Sequence, residues 1–164
     1  PLPTERYYEE EGRAELTPRD FGILMHRVFE NAATTDEIYM AIEAMTQDGV
    51  LDEKEAPRLR ELVEKALADP VTAEWFGGRW QVVRNENEII LPGSGTTRRP
   101  DRVMTDGERA VVVDYKFGDR ETARHRKQIR EYLRLLRQMG YTRTEGYLWY
   151  VRLGRTERVE EKED

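Results

Sequence analysis

The sequence contains no cysteine. That absence excludes disulfides, thiolate-bound zinc and iron–sulfur clusters, fits a reducing compartment, and leaves oxygen and imidazole as the donors for any metal ion. No apolar run approaches the roughly 18 residues needed to span a membrane, and no charged start followed by an apolar stretch reads as a signal peptide. A cytoplasmic protein without membrane contact is expected. The phosphate-cradling pattern G-x-x-x-x-G-K-[ST] is missing too, so no nucleotide-hydrolysing motor resides in these residues. Internal repeats and low-complexity tracts are absent. The chain opens on Pro1 rather than methionine, as a piece of a longer chain or a processed chain does, and a further domain is left open.

What is present is 38% apolar and 37% charged residues in a chain of 164, the balance of one compact domain with a real core. The net charge of −6 argues against a nucleic-acid partner until the charges are placed. From Arg98 to Arg130 ten Lys/Arg stand against six Asp/Glu, leaving 17 against 27 elsewhere. A basic region therefore sits on an acidic body, although a solvated, salt-bridged surface explains a local excess equally well.

Residues 1–16 read as a polar lead-in. Thr17-Pro18 offers an N-cap and a proline at the first helical position, and Phe21, Leu24, Met25, Val28, Phe29 and Ala32 then recur at helical spacing. A second helix is expected from Thr35, carrying Ile38, Ala41, Ile42 and Met45 and ending at Gly49. Asp52 and Glu55 resemble a capping box before a third helix that buries Leu59, Leu62, Val63, Ala66 and Leu67 and stops at Pro70. The texture then turns to strands: "RWQVV", "EIIL", "RPDRVMT", "RAVVVDYKF" and "GYLWYV". A helix over about Ala123 to Met139 separates the last two, with Ile129, Tyr132, Leu133, Leu136 and Met139 on one side. The tail from Arg152 to Asp164 is too charged for core. This order predicts an α/β fold with a mixed sheet flanked by helices.

The two strands around "TDGER" allow a geometric deduction. If Asp106 to Arg109 form the turn, Val103 faces Val112 and Asp101 faces Asp114, so two carboxylates meet at the end of the sheet and repel. Lys116 emerges on the same side, two residues further along, and Tyr115 points the other way. Acids flaring into solvent with a lysine counter-ion would satisfy this spacing. A divalent cation would satisfy it as well, because Mg²⁺ or Mn²⁺ prefers hard oxygen ligands, and a lysine beside it equips the site for phosphoryl transfer.

Arg99-Pro100-Asp101 followed by Asp114-Tyr115-Lys116 resembles the PD-(D/E)xK motif of restriction-endonuclease-like nucleases. Four pieces, "GILMHRVFE" at 22–30, "RPDRV" at 99–103, "VVDYKFG" at 112–118 and "HRKQIREYLRLL" at 125–136, resemble in order and spacing the nuclease module at the C-terminal end of UvrD-type helicase–nucleases, the RecB and AddAB group. The likeness spans about residues 17–151, leaving 152–164 as a charged tail. It implies that His26, Asp101 and Asp114 ligate the metal with the backbone carbonyl of Tyr115, that Lys116 is catalytic alongside the two acids, and that Gln128 and Tyr132 match a Q-x-x-x-Y beside the site. A spacing of four places Gln128 and Tyr132 on one helical face. Either Glu86 or Glu88 corresponds to a strand glutamate of the family.

On this reading Arg98, Arg99, Arg102, Arg120, Arg124, Arg126, Lys127 and Arg130 flank the acids and meet phosphates without reading bases. The implied activity is Mg²⁺- or Mn²⁺-dependent, exonuclease-type hydrolysis of DNA, single-stranded or at duplex ends. The implied partners are a helicase domain of the same longer chain and a second helicase–nuclease subunit, in double-strand-break repair. A rival reading is a silent nuclease-like domain that only binds DNA or scaffolds a helicase, against which the intact acids and lysine argue.

Overall fold

A computed structural model describes residues 7–8, 14–15, 18–85, 89–90, 97–98, 100–117 and 123–162, with side chains over 22–85, 100–117 and 123–162. Glu86, Glu88, Arg99 and Arg120, and the side chains of Phe21 and Arg98, lie outside the described parts.

Four helices come first: α1 (Pro18–Phe29), α2 (Thr35–Gln47), α3 (Glu55–Ala66) and α4 (Pro70–Trp75). Proline opens α1, as its fixed φ favours. The cap of α2 is Thr34 rather than Thr35: its hydroxyl accepts from the Glu37 amide at 3.3 Å. The capping box before α3 closes reciprocally, with the Glu55 amide donating to Asp52 at 2.7 Å and the Asp52 amide to Glu55 at 3.2 Å. Pro70 stands four residues past the end of α3 and starts α4, under an Asp69 cap that accepts from the Val71 amide.

Two short ladders, β1 (Tyr7–Tyr8) with β2 (Ala14–Glu15) and β4 (Ile89–Ile90) with β5 (Thr97–Arg98), lie apart from the main sheet. The first falls within the expected lead-in. The main sheet has the order β3-β6-β7-β8-β9, with β3 (Val82–Asn85), β6 (Arg102–Asp106), β7 (Arg109–Lys116), β8 (Arg143–Tyr150) and β9 (Arg155–Val159). β7 and β8 pair in parallel through the crossover helix α5 (Ala123–Gln138), and the other pairs are antiparallel. β9 departs from the expectation for the charged tail. Arg155 and Arg158 are exposed in it, while its last residue, Val159, is buried in the core.

β7 is covered on both faces, which is why its three valines run together. Val111, Val113 and Tyr115 join Leu24, Val28, Phe29, Ile42, Leu59 and Trp149 under α1–α4. Ala110 and Val112 join Ile129, Leu133, Leu136, Leu148 and Val159 under α5. Gly146 permits that second layer, because a Cβ there would run into the Ile129 side chain. Met139 leaves the stripe: it follows the helix end and is exposed. The hairpin keeps the deduced register, with Val103 opposite Val112 and Asp106 opposite Arg109, and Gly107 takes φ +60° in its two-residue turn. Among the described residues no helix is long and apolar enough to cross a membrane.

Candidate functional site

Asp101 occupies the bend just before β6, and Asp114 lies near the end of β7. Extending the hairpin register by one step sets them opposite each other. The Asp101 amide donates to Asp114 Oδ1 at 3.2 Å, and Asp101 Oδ2 accepts from the Tyr115 amide at 2.7 Å. Asp101 is thus clasped to the neighbouring strand through both its backbone and its side chain.

His26 arrives from α1. Its Nε2 lies 3.1 Å from Asp101 Oδ1, with 35% of the imidazole side chain and 18% of the Asp101 side chain exposed. Edge-on contact with Tyr115, at 6.1 Å between centroids, and tilted contact with Phe117, at 6.2 Å, fix the ring. One helical turn earlier Gly22 brings α1 close to the end of β7, where a Cβ would stand 3.3 Å from that of Phe117. The sequence piece around Gly22 and His26 is therefore a close-approach face, with the imidazole aimed at the acids.

Asp114 is buried, 4% exposed. Loss of solvation, and then the neighbouring Asp101 charge, push its carboxyl up to about 6, against the opposing pull of Lys116. A buried carboxylate held against a second acid is what a cation would relieve, and the donors here are hard oxygens with one imidazole nitrogen, which suits Mg²⁺ or Mn²⁺. As they stand, the groups are closed by hydrogen bonds to one another. Among the described residues no group of three or more His, Asp or Glu side chains is arranged to hold a metal ion. A carboxylate oxygen keeps a second lone pair after accepting one hydrogen bond. The His26–Asp101 contact is one that an ion bound between them would displace.

Lys116 ends β7, half-buried, and its charge reaches both Asp114 and His125, which opens the first part of α5. Burial first, then the charges of Lys116, Arg124 and Arg126, lower the pKa of His125. No spacing rule connects His125 to Lys116, because the helix α5 and the strand β7 that carry them are separate elements. On α5, Gln128 is half-buried, while Tyr132 is buried with Ile129, Leu133 and Leu136.

The arginines separate into distinct groups. Arg102, expected to meet phosphates, is fully buried. It donates to the carbonyls of Ala32 (2.5 Å), Ala33 (2.9 Å) and Trp75 (2.7 Å) and to Asn85 Oδ1 (3.2 Å), and lies 4.0 Å over the Phe76 ring. No face of it is left for DNA. Arg126 is engaged by Glu157 of β9 at 2.9 Å, and Arg130 donates to the Glu160 carbonyl. Arg124 and Lys127 remain exposed on α5.

A family model described as the PD-(D/E)XK nuclease superfamily matches residues 4–164. The chain belongs to the PD-(D/E)XK nuclease superfamily. The match takes in the residues before α1 and the strand β9, so the superfamily domain extends beyond the stretch 17–151 covered by the motif pieces. The mixed sheet with helices on both faces is the α/β, restriction-endonuclease-like architecture of this superfamily, whose members are in general metal-dependent nucleases. A search of curated proteins found no match to the chain.

Proposed function

We propose that this PD-(D/E)XK domain hydrolyses DNA phosphodiester bonds as an exonuclease-type enzyme dependent on Mg²⁺ or Mn²⁺. The observation that carries the reading is the convergence of His26, Asp101 and Asp114 at one end of the sheet beside Lys116. His26, Asp101, Asp114 and the Tyr115 carbonyl would hold the ion, which supplies Lewis acidity and neutralises phosphate charge. The Lys116 ammonium, on the strand that carries Asp114, orients the attacking water or stabilises developing negative charge. Gln128 lines the same end of α5. Tyr132, four residues on and buried with Ile129 and Leu133, is the second α5 residue of the reading. Arg124 and Lys127 supply contacts to the DNA backbone, joined by Arg98 and Arg99, which precede Asp101 in the chain.

The acidic charge of the whole chain fits a domain delivered to DNA by something else. A helicase segment of a longer chain, in an ATP-dependent helicase–nuclease of double-strand-break repair, would do this in the cytoplasm. The mutual hydrogen bonding of the candidate ligands favours one alternative, a silent domain that only binds DNA or scaffolds a helicase.

Incubation with end-labelled single-stranded and duplex DNA, with Mg²⁺, with Mn²⁺ and with chelator, separates the two. Metal-dependent release of short products that disappears in Asp114→Ala supports the enzyme. Cleavage undiminished in a folded Asp114→Ala protein removes it, and binding without cleavage under every condition establishes the silent domain.

A further inference from the structure

Arg102 is a buried cation whose located acceptors are all neutral: three main-chain carbonyls and one amide oxygen. Those acceptors belong to three different segments. Ala32 and Ala33 lie in the turn after α1, Trp75 ends α4, and Asn85 ends β3. Oxygens turned toward the interior need hydrogen bonds, and Arg102 supplies one to each of these four. Only the planar fork of a guanidinium has donors enough, at fixed angles, to serve them together, and stacking on Phe76 sets the plane of that fork. Asn85 adds a brace of its own, since its Nδ2 donates to the Ala32 carbonyl at 3.4 Å.

Arg102 is also the residue directly after Asp101. The helix that leads into the gripped turn is the one that carries His26, about one turn before its end. α1 therefore meets the hairpin at two points: through His26 on Asp101, and through the two carbonyls beyond its last turn on Arg102.

We infer that Arg102 is a positioning residue, a buried strut between the end of α1 and the start of β6 that sets the separation of His26 from Asp101. The inference builds on the metal-site reading above. It assigns Arg102 no contact with DNA or with the ion, so its effect passes entirely through the two ligands.

The test uses the chain with ¹⁵N-labelled histidine; with only two histidines, His26→Gln assigns the signals. In Arg102→Gln, the ring nitrogens of His26 in the metal-free protein should shift toward those of a solvent-exposed imidazole, while those of His125 stay in place. Mn²⁺ affinity by calorimetry should fall about tenfold or more, as when groups behind the ligands are removed. In cleavage, kcat should fall with KM for DNA and its salt dependence unchanged.

If that variant fails to fold, Asn85→Ala removes one acceptor and one brace, and should move the His26 signals in the same direction by less. Unchanged His26 signals and Mn²⁺ affinity in a folded variant overturn the inference. So does a raised KM with flatter salt dependence, which would place the guanidinium on phosphate. Should the unmodified chain bind no Mn²⁺ at all, the metal-site reading fails, and the His26 signals alone still decide whether Arg102 holds α1 in place.

Discussion

The amide of Asp101 donates to Oδ1 of Asp114 across 3.2 Å, so the two acids are joined through a backbone–side-chain hydrogen bond although their charges repel. Compensation of this kind is partial, and Asp114 gives up its proton only at a higher pH than an ordinary carboxyl. Its pH dependence follows directly. A carboxyl raised from 3.8 to about 6 holds its proton more tightly in the folded state than in the unfolded one. Its contribution to stability is thus fully present below about pH 3.8 and is lost as pH rises through about 6. The span corresponds to something on the order of 3 kcal/mol at neutral pH. Thermal unfolding of the metal-free chain between pH 4 and 8 should show this loss, and Asp114→Asn should remove most of it. Identical pH profiles for the two proteins would mean that the acid is not strained.

The charge of Lys116 lowers the pKa of both Asp114 and His125. Lys116→Met should cut cleavage by about 10²-fold or more, the usual scale for removing one group aimed at developing charge. Mn²⁺ binding should survive, shifted to higher pH because Asp114 becomes harder to ionise. Cleavage within a few-fold of the unmodified enzyme would assign the lysine to the surface.

The expected phosphate contacts now fall into separable sets. Arg124→Ala and Lys127→Ala should each weaken DNA binding and reduce the slope of log K against log salt by about 0.7–0.9, one phosphate apiece. Arg126→Ala should leave that slope nearly unchanged and loosen β9, since Glu157 holds its guanidinium. Fluorescence anisotropy over a salt series distinguishes the two outcomes, and equal slopes for all three variants would contradict the division.

Gly146→Ala tests the packing that seats α5. The added methyl meets Ile129 and lies 3.2 Å from Leu133 Cδ1. Overpacking of this kind typically costs 1–3 kcal/mol, that is roughly the cost expected here in chemical denaturation. A variant as stable as the parent would show that the helix rides higher over the sheet.

Much of the site was legible in the sequence because strand alternation and a short turn are nearly rigid rules. Once Gly107 closed the hairpin, Asp101 had to come near Asp114, and a helical piece with Gly22 and His26 one turn apart had a face able to approach. Arg102 was misread for an instructive reason. The same alternation puts it on the face of Met104, under the four helices, but charge alone points an arginine outward. Its acceptors come from residues 32, 33, 75 and 85, which no local pattern connects. β9 was hidden likewise, because four of its five residues are polar or charged and only Val159 is apolar. The small helix α4 was masked by Pro70, which marks helix starts and helix ends equally well.

The most direct test of the account is a calorimetric titration of Mn²⁺ into the purified chain, the Asp101→Ala variant and the His26→Ala variant at pH 7.5. Saturable binding in the unmodified chain that is abolished in Asp101→Ala and weakened in His26→Ala is the predicted result. Binding of equal strength in all three, with every protein folded, would contradict it.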